Sequence, residues 1–232
     1  LKKTEAVRRE FSANVSHELK TPLMSISGYA ELMMNGMVRP ENIADFSGRI
    51  YKEANRLGNL VADIIQLSRL DEQQDAVVSM ESVELDELAK DVVNNLRDHA
   101  EKKNISLDYC GIPINIQGVR HVLYEMLYNI ADNAVRYTNP GGHIHIYVGR
   151  KGDRPFYRVE DDGIGIPKSE QKRIFERFYR VDKSHSREIG GTGLGLAITR
   201  STIAMHHGVI KVFSREGEGT TFSVRVPLSY IP

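Results

Sequence analysis

The sequence has almost no cysteine and no long apolar run. The first absence concerns disulfides and the compartment of the protein, and the second concerns membrane-spanning segments. Cys110 is the single cysteine among 232 residues, so no intrachain disulfide can form and a reducing compartment is expected. No stretch approaches the ~20 apolar residues that span a bilayer, and no signal peptide is recognisable. Basic and acidic side chains both number 31, giving a formal net charge of zero. This balance gives no electrostatic reason to expect nucleic acid or an anionic membrane surface as a partner.

Two common nucleotide-binding signatures are also missing. The pattern GxxxxGK[ST] does not occur, which excludes a P-loop, and no strand–GxGxxG–helix unit opens a βαβ motif. The glycines gather instead in DDGIG at 161–165, after a predicted strand, and in GGTGLGL at 190–196, before a predicted helix. A helix that follows such a loop offers free N–H groups and a positive dipole end to an anion. A single glycine loop is weak evidence, because loops also use glycine for geometry alone.

Residues 3–70 have the periodicity of long amphipathic helices. In the first helix, an apolar stripe runs along one side, and His17 lies about 180° away from it on a helical wheel. Thr21 is one turn further along the exposed side, and Glu18 flanks that side. Pro22 removes one backbone hydrogen bond and is expected to bend the helix. The position of His17 therefore argues against a packed core residue. The stripe comprises Val7, Phe11, Val15, Leu19, Leu23, Ile26, Ala30 and Met33.

A second helix is predicted after a turn at 35–41, where breaker residues cluster. Its apolar residues repeat every seven positions at Ile43, Ile50, Leu57 and Ile64, which is the spacing of a heptad seam. Two such helices form a hairpin that cannot cover both of its stripes. The simplest solution is a dimer in which two hairpins make a four-helix bundle, and a monomeric hairpin docked on the rest of the chain is the alternative.

From residue 71 onward, helical and alternating patterns follow one another. This order predicts a two-layer α/β sandwich, so the whole chain is expected to be α+β, with a dimerisation domain at 1–70 and a second domain at 71–232. The predicted helices cover 82–103, with Ser82 as cap, 118–137, 168–175 and 193–206. The predicted strands cover 105–109, 113–117, 143–148, 156–159, 209–213 and 220–226.

The helix at 118–137 carries a polar face. Glu125, Asn129, Asn133 and Arg136 are spaced so that they share one side. Asparagine carbonyl oxygens suit Mg²⁺, so this face suggests an ion or ligand site, although a solvated helix face is an equal alternative. The histidines at 143, 145, 206 and 207 lack partners at metal-ligand spacing and are predicted to lie on surfaces or strands.

Six short motifs, in order, resemble those of the cytoplasmic kinase core of bacterial sensor histidine kinases, the transmitter part of two-component systems. They are FSANVSHELKTPL (H box), NIADNAVRYT (N box), VEDDGIGIP (G1 box), FERFYR (F box), GGTGLGLAI (G2 box) and GEGTTF (last glycine motif). The match covers nearly the whole sequence. It implies that the second domain is a Bergerat-type ATP-binding sandwich, a fold also found in gyrase-like and Hsp90-like ATPases.

The resemblance also implies a function for the exposed histidine. His17 is expected to be the phosphoacceptor, attacking ATP as a neutral imidazole. Glu18 would accept a hydrogen bond or proton from the other ring nitrogen. Thr21 matches the residue that positions water for dephosphorylation of the partner regulator. His17 would then pass the phosphoryl group to an aspartate of that response regulator.

For the cofactors ATP and Mg²⁺, the resemblance implies the following roles. Asp161 holds the adenine amino group, with Gly163 and Gly165 shaping the base pocket and Thr221 near the base. Asn133 binds Mg²⁺, while Asn129, Arg136 and Tyr137 lie near the phosphates. Gly191, Gly193 and Gly195 bring helix N–H groups to the phosphates. Arg180 borders a lid at 180–190 and contacts the γ-phosphate.

The expected setting is a homodimer through residues 1–70, with a response-regulator receiver domain as partner and no nucleic acid. We expect the chain to be the cytoplasmic portion of a membrane-anchored bacterial protein, with membrane contact made only by segments upstream. Two other functions stay open. One is an ATPase in which Glu125 activates water, and the other is a non-catalytic scaffold.

Overall fold

The computed structural model describes residues 2–73, 79–181 and 191–228. Helix α1 spans Lys2–Met34 and helix α2 spans Ile43–Gln73, with a short 3-10 turn at Pro40–Asn42 between them. The predicted turn is therefore confirmed. Gly36 takes a φ of +65° directly after α1, a conformation in which glycine carries no steric cost. Pro22 lies inside α1, which continues through it as a helix.

The rest of the chain forms a sandwich of helices on a sheet. The helices are α3 (Leu85–Lys102), α4 (Arg120–Tyr137) and α5 (Gly195–Met205). The strands are β1 (Glu81–Glu84), β2 (Ser106–Gly111), β3 (Asn115–Gly118), β4 (His143–Lys151), β5 (Arg154–Asp161), β6 (Val209–Arg215) and β7 (Gly219–Arg225).

Five of these strands make the main sheet, in the order β2-β4-β5-β7-β6. Strand β2 runs parallel to β4, and the other neighbours are antiparallel. Alternate residues of β4 and β5, such as Ile144, Ile146, Tyr157 and Val159, point into one core with apolar side chains of α3 and α4. The predicted α+β class is confirmed. Asp161 is the last residue of β5 and therefore lies at an end of the sheet.

Two predicted helical segments differ in the structure. Residues 81–84 form a strand instead of a helix start, and Ser82 pairs with Gln117 of β3, so α3 begins only at Leu85. The strand partner is distant in sequence and invisible to local periodicity. Residues 168–175 form consecutive turns, with the N–H of Glu170 bonded to the Pro167 carbonyl and that of Arg173 to the Glu170 carbonyl. One i→i+4 bond, from the Ile174 N–H to the Glu170 carbonyl oxygen, is also present, but the i→i+3 bonds around it close turns and no α-helix propagates.

One histidine predicted to lie on the surface is buried. The Val119 N–H donates to Nε2 of His206 over 3.2 Å, and Nδ1 of the same ring lies 2.7 Å from the Thr202 carbonyl oxygen. Nδ1 therefore carries the proton. Burial lowers the pKa of this imidazole, which favours the neutral ring. His206 thus joins the end of α5 to the start of α4.

The hairpin packs directly against the sandwich. An apolar cluster joins Leu60, Leu67 and Leu70 of α2 to Leu194, Ile198 and Met205 at and within α5. The ring of Phe11 on α1 lies 5.8 Å from that of Phe178. The Arg177 guanidinium donates to both carboxylate oxygens of Asp71, at 2.7 and 2.9 Å. These contacts set α2 over the edge of the sandwich where the glycine loops lie.

Candidate functional site

A cavity of about 1090 Å³ lies where α2 faces α4, α5 and the end of β5. Most of the residues predicted to bind a ligand line it. They are Asn129, Asn133, Arg136, Tyr137, Asp161, Gly165, Arg180, Gly191, Gly193 and Gly195. The segments that carry them are far apart in sequence, so the fold brings the predicted motifs together in one place.

Asp161 ends β5 and presents its carboxylate to the cavity. Its Oδ1 accepts the N–H groups of Gly163 at 3.0 Å and of Thr220 at 3.2 Å. Within the described parts of the chain, no hydrogen bond reaches Oδ2. Burial raises the pKa of Asp161 to about 6, against the opposing effect of these two backbone bonds. The free oxygen is suited to accept from an amino group such as that of adenine.

The threonine beside this carboxylate is Thr220, and the predicted residue, Thr221, lies elsewhere. Along a strand, neighbouring side chains point to opposite faces of the sheet. Thr220 is buried and lines the cavity, whereas Thr221 pairs with Phe213 and Glu160 and is absent from the cavity wall. The motif GTTF offers two adjacent threonines, and strand register alone decides between them.

The glycines meet different steric demands. Gly165 has a φ of +67°, and a Cβ there would lie 2.0 Å from the Arg215 carbonyl oxygen. Gly163 is buried behind Asp161, where a Cβ would meet the Tyr137 carbonyl oxygen at 2.4 Å. Gly193 has a φ of +75° just before α5. Because the first N–H groups of a helix have no intrahelical partner, this end of α5 suits an anion.

The polar face of α4 lines the same cavity, which favours a ligand site over a solvated surface. Arg136 pairs with Asp132 at 2.5 Å, and Gln66 of α2 donates to the Glu125 carboxylate. Burial, and then the nearby Asp63 charge, raise the pKa of Glu125.

Among the described residues, no three His, Cys, Asp or Glu side chains converge on a metal-binding cluster. A magnesium ion would therefore depend on Asn133, water and ligand phosphates, which fits its preferences.

Lys103, at the end of α3, is a site residue that the sequence analysis missed. Its Nζ donates to the carbonyl oxygens of Val135, Arg136 and Thr138 at 2.8, 2.9 and 3.2 Å. These carbonyls are at the C-terminus of α4, where a cation compensates the helix dipole. Burial, followed by the charge of Arg136, lowers the pKa of Lys103. No local sequence signal marks this lysine, because its partners lie in another helix.

Helix α2 supplies a second group that the sequence analysis missed. Arg56, Asn59, Asp63 and Gln66 lie along one side of this helix and close the cavity from the hairpin. The Thr192 hydroxyl, in the loop before α5, donates to the Asp63 carboxylate over 2.6 Å. The cavity wall therefore contains residues of both predicted domains.

The predicted phosphoacceptor group lies outside the cavity. His17 is exposed on α1 and does not line the cavity wall. The Thr21 hydroxyl donates to the His17 carbonyl oxygen at 3.2 Å. Glu18 is half-buried and reaches towards the cavity, with its Oε2 at 3.8 Å from both Arg56 and Arg180. Most of the predicted lid, residues 182–190, falls outside the described residues.

Two family profiles match the chain. Residues 7–73 match the His Kinase A (phospho-acceptor) domain, and residues 118–230 match the histidine kinase-, DNA gyrase B- and HSP90-like ATPase. The sensor-like histidine kinase SenX3 of Mycobacterium tuberculosis is 38% identical over 96% of this chain and 54% of its own length. The sensor protein kinase WalK of Staphylococcus aureus is 34% identical over 98% of this chain and 55% of its own. The chain thus spans little more than half of these curated relatives.

Solved structures show the same fold. Histidine kinase AdeS of Acinetobacter baumannii superposes with a TM-score of 0.75 at 21% identity, over 91% of this chain and 98% of that one. Full-length ShkA, solved with AMPPNP, gives 0.69 at 28% identity, over 96% of this chain and 46% of that one. ThkA in complex with the response regulator TrrA gives 0.78 at 24% identity, over 98% and 64%. Across the described residues, every helix is too short or too polar to cross a membrane.

Proposed function

The chain belongs to the sensor histidine kinases, and from this premise we propose that it autophosphorylates on His17 with ATP and passes the phosphoryl group to a response regulator. One observation carries the proposal. An exposed imidazole within the phospho-acceptor match shares a chain with a cavity that combines a half-buried carboxylate, an asparagine face and a helix N-terminus. Those cavity groups suit an adenine amino group, Mg²⁺ and phosphates, respectively.

Different residues around the cavity bind different parts of the nucleotide. Asp161 accepts from the adenine amino group through Oδ2, and Gly165 keeps the wall close enough for a planar base. The loop at Gly191 and Gly193 and the N-terminus of α5 receive the phosphates. Asn133 would contribute an oxygen ligand to Mg²⁺, and the bound ion would neutralise phosphate charge. Asn129, Arg136 and Tyr137 line the same wall.

In the reaction, the lone pair of the unprotonated ring nitrogen of His17 forms the N–P bond. The bond from the γ-phosphorus to the bridging oxygen breaks, and its electron pair leaves with ADP. The other ring nitrogen then gives its proton to Glu18, so the phosphohistidine is neutral at the ring. His17 lies outside the cavity in this structure, so the imidazole and the terminal phosphate must come closer together before transfer.

Several finer points belong to the same proposal. The dimerisation and phosphotransfer domain covers residues 1–70 and the catalytic domain residues 71–232. Exposed apolar side chains on the hairpin, among them Leu23, Val61 and Ile65, form the surface for a second copy. Thr21, one turn from His17, positions water for dephosphorylation of the regulator. Membrane anchoring, where present, is provided by segments outside this chain.

A labelling experiment tests the proposal. After incubation with γ-labelled ATP and Mg²⁺, we expect the protein to retain an acid-labile, base-stable label. His17→Gln should remove the label, whereas His121→Gln, at another exposed histidine, should retain it. Release of phosphate without retained label would favour the alternative ATPase, in which Glu125 activates water. Absence of Mg-ATP binding would instead favour a scaffold.

A further inference from the structure

Two arginines from different parts of the fold meet at one carboxylate beside the cavity. Arg56 belongs to α2 of the hairpin, and Arg180 belongs to the sandwich. Each has a terminal nitrogen 3.8 Å from the same atom, Oε2 of Glu18. The two arginine side chains are only 18% and 10% exposed, and both line the cavity. An anion held between them would thus lie at the side of the cavity nearest α1.

From this arrangement, which rests on the proposed function, we propose that Arg56 joins Arg180 in binding the terminal phosphate of ATP, and that Glu18 holds this place in the structure without nucleotide. Guanidinium groups present a planar fork of donors that matches phosphate and carboxylate oxygens alike. Like the terminal phosphate, the carboxylate of Glu18 is a negatively charged hydrogen-bond acceptor, although it has one oxygen fewer and a smaller charge.

The exchange of one anion for the other has a consequence for His17. Glu18 and a terminal phosphate are both negative, so they compete for the two guanidinium groups. A phosphate bound there releases Glu18, the direct neighbour of His17, to accept the proton of the imidazole. Arrival of ATP would in this way both position the phosphoryl group and free the base. ADP lacks the terminal phosphate and would leave Glu18 paired with the arginines.

The remaining contact of Arg56 does not compete with this role. Its other terminal nitrogen, Nη1, lies 3.7 Å from Glu53 of the same helix, whereas Nη2 faces Glu18. Glu53 therefore orients the guanidinium while leaving one edge directed at the shared site. A purely structural ion pair between hairpin and sandwich is the competing explanation, and nucleotide binding separates the two.

Calorimetry with ADP and with AMPPNP, both with Mg²⁺, measures the terminal phosphate separately from turnover. We expect Arg56→Gln to weaken AMPPNP binding about tenfold and to leave ADP binding within about twofold. Arg56→Lys, which keeps the charge, should recover most of the lost affinity. Glu18→Gln removes the competing anion and should tighten AMPPNP binding about threefold or more while slowing the labelling of His17. Arg49→Ala, at an arginine of α2 paired with Asp45, serves as control and should change neither ligand.

Equal weakening of ADP and AMPPNP by Arg56→Gln would overturn the proposal, as would unchanged or weaker AMPPNP binding in Glu18→Gln. Thermal unfolding of each variant identifies loss of folding, and Arg56→Lys gives the same comparison if the glutamine variant is unstable. The binding experiment needs no phosphorylation. A wild-type chain that binds AMPPNP more tightly than ADP but never labels His17 would therefore contradict the proposed function alone.

Discussion

The Thr192 hydroxyl of the glycine loop donates a 2.6 Å hydrogen bond to the Asp63 carboxylate of α2. This bond joins the hairpin to the loop that opens α5, inside the cavity that both of them line. Burial raises the pKa of Asp63, and the bond from Thr192 offsets part of that shift. The hairpin thus contributes directly to the site.

Removing this bond should loosen the docking of the hairpin. We expect Asp63→Ala to increase hydrogen exchange in the second half of α2 and in the start of α5, because a charge-assisted bond contributes about 1.5–3 kcal/mol. Asp45→Ala, at an exposed aspartate of α2, is the matched control. Unchanged protection in Asp63→Ala would mean that the apolar cluster of Leu60, Leu67 and Leu70 holds the docked arrangement alone.

Asn133 should be required for magnesium and dispensable for folding. The side chain is half-buried on the cavity wall, so Asn133→Ala removes an oxygen ligand without creating a core void. We expect the Kd for Mg-AMPPNP to rise about tenfold or more, with the free energy of unfolding changed by less than about 1 kcal/mol. Asn94→Ala, at an exposed asparagine of α3, should leave the Kd unchanged. Normal labelling by Asn133→Ala would end the magnesium assignment.

The ionisation of Asp161 should make both stability and nucleotide affinity depend on pH, in opposite directions. As pH rises, its contribution to stability should fall and nucleotide affinity should increase. Burial raises the pKa of its carboxyl to about 6 in the folded chain, against about 3.9 in the unfolded chain. The folded state therefore binds more protons between these values, so its contribution to stability is present below about pH 4 and is lost as pH rises through about 6. Nucleotide affinity should instead fall as pH drops below about 6, because the carboxylate is then protonated.

Asp161→Asn separates these two effects. The amide can accept the Gly163 and Thr220 N–H groups without ionising, so at pH 7.5 the nucleotide-free variant should be more stable than the wild type by about 1–3 kcal/mol. The same variant should bind no ATP analogue. Thermal unfolding from pH 4 to 8 measures the difference, and a less stable variant at pH 7.5 would contradict the burial argument.

Thr21 should matter more for dephosphorylation than for autophosphorylation. Its hydroxyl donates to the His17 backbone carbonyl oxygen, one turn away, and Thr21 does not line the cavity. We expect Thr21→Ala to slow dephosphorylation of a phosphorylated receiver domain about tenfold and to change His17 labelling by less than about twofold. Ser25→Ala, the next turn along, is the control. Equal losses in both assays would argue against a separate phosphatase role.

The exposed apolar strip of α2, formed by Val61 and Ile65, should be the contact between two copies of the chain. Ile65 is 49% exposed and lies one turn from Val61. Ile65→Lys places a charge in that strip and should convert a dimer to monomers in light scattering after gel filtration. Ile112, 50% exposed on the sandwich, gives a matched control as Ile112→Lys. A wild-type chain that is monomeric at all concentrations would favour the docked monomeric hairpin.

Local patterns in the sequence determined most elements of this protein. Seven-residue spacing predicted α2, alternation predicted β4 and β5, and the spacing of Asn129 and Asn133 predicted a polar face that the structure places on a cavity. These predictions succeed because the side-chain periods of helices and strands are only a few residues long, so a short segment of sequence is enough to show them.

Tertiary structure alone decided the composition of the cavity wall. The register of β7 selected Thr220 over Thr221, the pairing with β3 turned residues 81–84 into a strand, and docking of the hairpin brought Arg56 and Asp63 to the site. Each depends on contacts between segments far apart in the chain. Such contacts are set by how apolar faces pack, which no single local pattern records.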